Sequence, residues 1–305
     1  VIATGSRPRQ LALEGRDLDG VFNLRTMADI DAMSPHFEAG KKLAIIGGGY
    51  IGLEAASVAR AMGLEVVVLE AAPRLLARVA EPEISAFYAR LHNSHGVEVR
   101  TDCQISSFQG TKHVTAIEFG DGSQLQTDLV IIGIGILPNI ELAAAAGIDV
   151  ENGIVVDHLG RTNRPGIYAT GDCSLHPNPL LGRAMRLESV PHAIDQSKAV
   201  ASDILGTPQP YQEVPWFWSD QYDVKLQISG VPDQIDHKVL RGDDTSSSFA
   251  WFYFTGNKLT GVTTVNRPGE FMAGKQLILK AYREDHEMDP SALADETLKP
   301  KSWLA

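Results

Sequence analysis

The chain has 305 residues, which at roughly 150 residues per domain makes about two domains. A hydrophobic fraction of 44% with 21% charged residues belongs to a packed globular protein, and a formal net charge of −11 repels phosphate backbones and argues against nucleic acid as a partner. The longest strongly apolar run, Leu129 to Leu137, falls far short of the roughly 20 residues that cross a bilayer, and Cys103 and Cys173 offer neither a CxxC pair nor a metal-ligand set, so a reducing, cytoplasmic setting without metal is expected.

Val1-Ile2-Ala3-Thr4-Gly5 reads as a strand end, so the chain is expected to be a fragment that opens inside a domain. Residues 43–46 form a short apolar run bounded by glycines, the pattern of a buried strand. Residues 50–62 carry Leu53, Ala56 and Ala59 at helical spacing, with Gly63 as the stop, and residues 66–69 make a second buried strand. Strand, glycine turn, helix and strand within thirty residues constitute a βαβ unit. A helix over 83–92, a strand over 98–101, a hairpin turning at Asp121-Gly122 and a buried strand over 128–134 follow. Strands over 153–156 and 167–169 precede a helix over 191–205. Thr207-Pro208-Gln209-Pro210 then reads as a linker, beyond which runs at 225–229, 237–241, 249–254 and 259–265 alternate with turns before a helix over 270–282. That last region is an α+β module, in which Trp251, Phe252, Tyr253 and Phe254 are expected as sheet core. Ile2-Ala3-Thr4-Gly5 is echoed in Tyr168-Ala169-Thr170-Gly171, and both are small-residue strand ends where a ligand approaches closely.

Gly47-x-Gly49-x-x-Gly52 lies between a predicted strand and a helix, the context of the dinucleotide fingerprint. Gly47 permits the tight turn, Gly49 admits the pyrophosphate and Gly52 lets the helix pack; the plain alternative is a glycine turn in a non-binding α/β domain. Glu70 ends the next strand, where a carboxylate accepts from the adenosine ribose and repels a 2′-phosphate, favouring NAD over NADP. Arg74 and Arg78 are expected to face adenine or solvent. Asp172, after Gly171 at a strand end, either binds a flavin polyol or caps its own loop. Glu188-Ser189-Val190-Pro191 starts a helix whose N-terminus suits the negative charge of a reduced flavin. His92 and His95, at a helix end without acidic or thiol neighbours, are expected on the surface rather than on a metal.

Taken together, VIATGSRPR, GGGYIGLE, GIGILPN, PGIYATGDC, RLESVPHAIDQ, PWFWSDQYDVKLQ and VNRPGEF resemble the NADH–ferredoxin reductases of oxygenase systems, the putidaredoxin reductase-like flavoproteins. PWFWSDQ discriminates best, since disulfide reductases carry a different C-terminal domain with a His–Glu pair. The resemblance implies an α/β two-dinucleotide-binding fold, a Rossmann-like NAD domain (39–150) inserted in an FAD domain (1–38 and 151–208), with a C-terminal α+β domain (211–305). It implies FAD contacts at Arg25, Gly171, Asp172 and Val190, the last through its backbone. It also implies NAD contacts at Gly47, Gly49, Ile51, Gly52, Glu70 and Gly135. Tyr50 and Glu54 would stand beside the nicotinamide, although alone they read as plain helix residues, and Trp216 and Trp218 would border the flavin. In this family a further glycine unit for the FAD pyrophosphate and a lysine near the flavin precede the position of Val1.

The implied reaction carries hydride from NADH to FAD and then single electrons to a [2Fe–2S] ferredoxin serving a P450 or a ring-hydroxylating dioxygenase. Docking of an acidic ferredoxin on this acidic chain calls for a local basic patch, for which Arg183, Arg186, Lys198 and Lys225 are candidates. The alternatives are a rubredoxin reductase, an NADH oxidase, a nitrite reductase subunit, or an apoptosis-inducing-factor-like redox binding protein.

Overall fold

Lys42–Ile46 and Glu65–Leu69 lie side by side as parallel strands, Lys42 opposite Glu65 and Ile46 opposite Leu69. In this computed structural model, which describes residues 1–232 and 234–304, they are the centre of a five-stranded parallel sheet. Its order is Val21–Asn23, Leu129–Ile132, Lys42–Ile46, Glu65–Leu69, Glu98–Arg100. The side chains alternate between faces, and both faces are buried, which is why these strands read as unbroken apolar runs. Ala44, Ile46, Val67, Leu69, Val130 and Ile132 pack against Phe108, Val114 and Ile117 of an antiparallel three-stranded sheet, Ile105–Gly110, Val114–Phe119 and Gln124–Gln126. The expected hairpin is there: Asp121 accepts from the Ser123 amide and hydroxyl, and Gly122 takes φ +82°.

Helices Tyr50–Ala61 and Pro82–Ser94 belong to the same compact unit, residues 7–137 together with 220–223. Val21–Asn23 extends the sheet although it escaped prediction, because three residues carry too little periodicity. The expectation of a surface His92 is corrected. Its ring is fully buried, Nε2 is 2.8 Å from Gln221 Oε1 and Nδ1 is 3.1 Å from the Tyr222 hydroxyl, while His95 stacks on Tyr222 with centroids 3.7 Å apart.

The second unit comprises residues 1–6, 138–219 and 224–305, of which Asp233 and Ala305 lie outside the described residues. One part is a four-stranded sheet, Val150–Glu151, Gly153–Val155, Ser174–Asn178 and Arg183–Met185, with helix Val190–Ile204. Residues 167–169 do not form the expected strand; Tyr168 and Ala169 make single bridges, to Arg161 and to Ile2. The two echoed segments are thus neighbours: the Ile2 amide donates to Tyr168 O at 2.7 Å and the Thr170 amide to Ile2 O at 3.1 Å.

The other part is a five-stranded sheet ordered Trp216–Gln221, Val224–Gly230, Lys258–Val265, Ser248–Thr255, His237–Asp243, packed by helix Pro268–Glu284. Phe252 and Phe254 sit in its core with Leu277, Ile278 and Trp303, and Tyr253 is buried too, while Trp251 is half-buried. Buried Arg241 pairs with Glu270 at 3.1 Å and donates to the carbonyls of Leu293, Asp295 and Leu298, holding the last turns of the chain over the sheet. No helix among the described residues is long and apolar enough to cross a membrane.

Candidate functional site

The glycine loop sits at the carboxyl end of the central strand Lys42–Ile46, flanked by Leu129–Ile132 on one side and Glu65–Leu69 on the other, an end of the strands at which open α/β sheets take ligands. Its glycines have separable physical roles. Gly47 has φ +106°, and a Cβ there would stand 2.4 Å from Gly133 O. A Cβ on Gly52 would stand 2.2 Å from Gly47 O, so the helix touches the loop backbone to backbone. At Gly49 a Cβ would meet nothing within 4 Å, and Gly49 is the N-cap of Tyr50–Ala61 with no side-chain cap bond. That opening, with uncapped amides and the positive end of the helix dipole, fits a pyrophosphate.

Glu70 stands at the far edge of the loop. Its Oε2 accepts from the Gly48 amide at 2.7 Å and its Oε1 from the Ala72 amide at 2.8 Å. Arg74 does not face adenine or solvent as expected: it is spent on Ala77 O (3.0 Å), Ala80 O (2.7 Å) and Ser85 Oγ (2.6 Å), bracing the loop ahead of Pro82–Ser94. Arg78 is exposed, with Nη2 3.4 Å from where a Cβ of Gly135 would lie. Gly135 has φ +99° and accepts from the Arg9 amide. Tyr50 and Glu54 are half-buried on the helix, one turn apart, and Ile51 between them is exposed. Arg25 is exposed in the same unit; its amide donates to Asp29 Oδ2, part of the capping box of Met27–Met33.

In the other unit, Asp172 is held from two sides. Ser6 Oγ donates to its Oδ2 at 2.8 Å, and Arg186 Nη1 to its carbonyl at 3.3 Å. The preceding amide, of Gly171, donates to Gln196 Oε1 at 2.8 Å, which also accepts from Ser174 Oγ. These contacts belong to a polar seam. Ser174, His176 and Asn178 alternate along their strand while His192 and Gln196 lie one turn apart on Val190–Ile204, and all five are buried. The rings of His176 and His192 stack at 4.7 Å, with the Tyr211 hydroxyl 3.1 Å from His192 Nδ1. Burial pushes His176 down to about 3, helped by the neighbouring imidazoles of His192 and His158. It pushes His192 to about 4 against the pull of Asp172 and Asp195, so both rings are neutral at physiological pH.

The seam fixes the strand Ser174–Asn178, which follows the short turn Gly171–Cys173 bearing Asp172, to the helix that begins at Val190, a residue 59% exposed. Ser189 caps that helix by accepting from the His192 amide. Trp216 and Trp218 project from the edge strand with rings 5.7 Å apart; Phe271 packs on Trp216, and Lys275 Nζ lies 5.4 Å over its ring. Of the basic candidates, Lys198 is exposed but paired with Asp195 at 2.7 Å, and Lys225 and Arg183 are exposed. Arg186 is corrected: only 9% of its side chain is exposed, and it is committed to Glu188 and Asp172. Ser6, Gly48, Gln196 and Lys275 carry no local signature, because their partners are distant in the chain.

The described residues thus include an open glycine loop held to the Glu70 carboxylate, an exposed helix start at Val190 and a pair of tryptophans on an edge strand. Residues 1–197 match the pyridine nucleotide-disulphide oxidoreductase family, and residues 216–304 match the reductase C-terminal family. The chain belongs to the pyridine nucleotide-disulphide oxidoreductases. The ferredoxin reductases of this family are its relatives. It is 46% identical over 282 residues to the probable ferredoxin reductase CtmF of Castellaniella defragrans, covering 92% of this chain and 69% of the other. It is 40% identical over 311 residues to the putidaredoxin reductase CamA of Pseudomonas putida, covering 100% and 73%. The ferredoxin reductase for the CYP199A2 system of Rhodopseudomonas palustris superimposes with a TM-score of 0.93 at 39% identity, over 99% of this chain and 74% of that one. The reductase in the covalent putidaredoxin reductase–putidaredoxin complex gives 0.93 and 39%, over 99% and 73%. The fold is therefore the two-dinucleotide-binding α/β fold with a C-terminal α+β domain, and the family is FAD-dependent and NAD(P)-using.

Proposed function

We propose that the chain is the reductase that passes electrons from NADH through FAD to a [2Fe–2S] ferredoxin serving a P450 or a ring-hydroxylating dioxygenase, in the cytoplasm. The observation that carries this reading is the pairing, in one chain, of an open glycine loop ending at Glu70 with the Trp216–Trp218 edge strand of a reductase C-terminal domain. Residues 39–150 take the NAD, residues 1–38 and 151–208 the FAD, and residues 211–305 form the domain at the partner side.

Loop amides and the start of Tyr50–Ala61 bind the NADH pyrophosphate, and Glu70 accepts from the adenosine ribose. Tyr50 and Glu54 orient the nicotinamide, and Gly135 lies on the covering loop. Arg25, Gly171, Asp172 and the backbone of Val190 hold the FAD, whose chemistry when bound is to accept a hydride and release two single electrons. The start of Val190–Ile204 offers its dipole to the negative charge gained on reduction. Trp216 and Trp218 keep water from the partner side, and Lys198 and Lys225 attract the acidic ferredoxin. NADH is preferred to NADPH because the Glu70 carboxylate stands at the ribose while Arg74 is engaged elsewhere.

The test is an anaerobic titration of the FAD-loaded protein with each nucleotide, followed by offering [2Fe–2S] ferredoxin, rubredoxin or oxygen. Bleaching at concentrations about tenfold lower for NADH, then fast reduction of ferredoxin alone, supports the reading. Faster delivery to rubredoxin or oxygen moves the chain to another flavoenzyme of this fold, and a flavin that neither nucleotide reduces ends the hydride-transfer reading.

A further inference from the structure

Glu70 is held in place by the protein's own backbone. Its backbone is pinned on both sides, the Glu70 amide to Arg100 O and the Cys103 amide to Glu70 O, each at 2.9 Å. Its two carboxylate oxygens accept one backbone amide apiece, from Gly48 at 2.7 Å and Ala72 at 2.8 Å. A carboxylate oxygen has two acceptor directions, so this arrangement leaves one on each oxygen, a matched pair for the two hydroxyls of a vicinal diol.

Gly48 makes that orientation possible through space rather than backbone freedom, for it is not among the glycines with positive φ. A Cβ there would lie 2.4 Å from Leu75 Cδ2 and 3.1 Å from Glu70 Oε2. Leu75 is 1% exposed and packed in the interior, and a methyl at position 48 presses both on it and, independently, on the carboxylate oxygen. We propose that Gly48, which stands outside the three fingerprint glycines, is a positioning residue that sets nucleotide choice by holding Glu70 in a diol-accepting pose. It thereby selects dinucleotides with a free adenosine 2′-hydroxyl. The proposal rests on the reading of Glu70 as the ribose acceptor. It links the phosphate loop to specificity at the other end of the adenosine: one short loop receives the pyrophosphate and aims the acid that reads the sugar.

The experiment titrates the 305-residue chain, without flavin, with NADH and with NADPH, following the fluorescence of the nicotinamide itself. Wild type, Gly48→Ala, Glu70→Gln and the double variant are compared. G48A is expected to weaken NADH about tenfold and NADPH by no more than about twofold, E70Q to do the same, and the double variant to match E70Q. Equal losses for both nucleotides in G48A, or losses that multiply in the double variant, overturn the proposal, because Gly48 then serves the pyrophosphate or the fold independently of Glu70. An unchanged NADH-to-NADPH ratio in E70Q is a different failure, which removes the ribose reading and Gly48's role with it. Should G48A not fold, Gly48→Ala is read in a Leu75→Ala background against L75A alone. There the 2.4 Å clash is gone and only the push on the carboxylate is left; the same selective loss is expected, and its absence overturns the proposal.

Discussion

Ser6 and Asp172 are 166 positions apart in the chain and joined by a 2.8 Å hydrogen bond from the serine hydroxyl to the carboxylate. The parallel bridge of Ile2 with Ala169 brings them together, so the first residues of the chain aim the carboxylate proposed above to hold the FAD. Ser6→Ala removes this donor and is expected to weaken FAD about five- to tenfold, read by quenching of flavin fluorescence, while leaving the NADH affinity unchanged. Equal FAD affinities in the two proteins would show that the bond orders the loop without serving the cofactor.

The glycine loop separates fold from function by substitution. Gly49 has φ −80° and ψ 177°, accessible to alanine, and open space where its Cβ would go. Gly49→Ala should change stability by less than about 0.5 kcal/mol and weaken NADH about tenfold or more, because the methyl occupies the pyrophosphate approach. Gly52→Ala, meeting Gly47 O at 2.2 Å, should cost about 3 kcal/mol in urea unfolding.

Acid should loosen the polar seam. His176 and His192 titrate at about 3 and about 4 when folded, against roughly 6.5 when unfolded. Between those values the unfolded chain binds protons that the native chain refuses, so stability is complete above about pH 6.5 and falls as the pH drops toward 4. The urea midpoint should decline between pH 7 and 5, and His176→Phe should flatten that decline by about one proton's worth of slope. A slope unaltered by the substitution would assign the acid sensitivity to other groups.

Lys198 is paired with its neighbour Asp195 at 2.7 Å. Asp195→Asn should therefore speed reduction of an acidic ferredoxin about threefold at low salt and Lys198→Glu slow it about threefold. Both effects should fade toward about 0.5 M salt, where screening shortens to a few ångströms. Stopped-flow rates independent of salt in both variants would place docking elsewhere.

The βαβ unit was legible because strand, glycine turn and helix each carry their own period, and Glu70 because an acid closes the second strand. Short or nonlocal features left no such trace. Val21–Asn23 is a strand only by virtue of its neighbour Leu129–Ile132, and Tyr168–Ala169 amounts to bridges because its partners are single residues. His92 looked like a surface residue since nothing within its helix announces Gln221 and Tyr222, about 130 positions later. Arg74 sits near Glu70 in sequence, yet its three acceptors are carbonyls and a serine created by the loop's own curvature. The same holds for Gln196, whose two bonds need the strand and the helix already in place.

The obstacles around the loop glycines differ in kind, and that difference decides which losses a second mutation is able to repair. At Gly47 and Gly52 the obstructing atoms are main-chain carbonyl oxygens, of Gly133 and of Gly47 itself, which every amino acid carries. No substitution elsewhere in the gene deletes a carbonyl, so a second mutation is able to offset the cost of alanine at either position but not to clear the clash. At Gly48 the nearest obstacle is a leucine methyl, which mutation does remove, and suppressors of its steric defect should gather at codon 75.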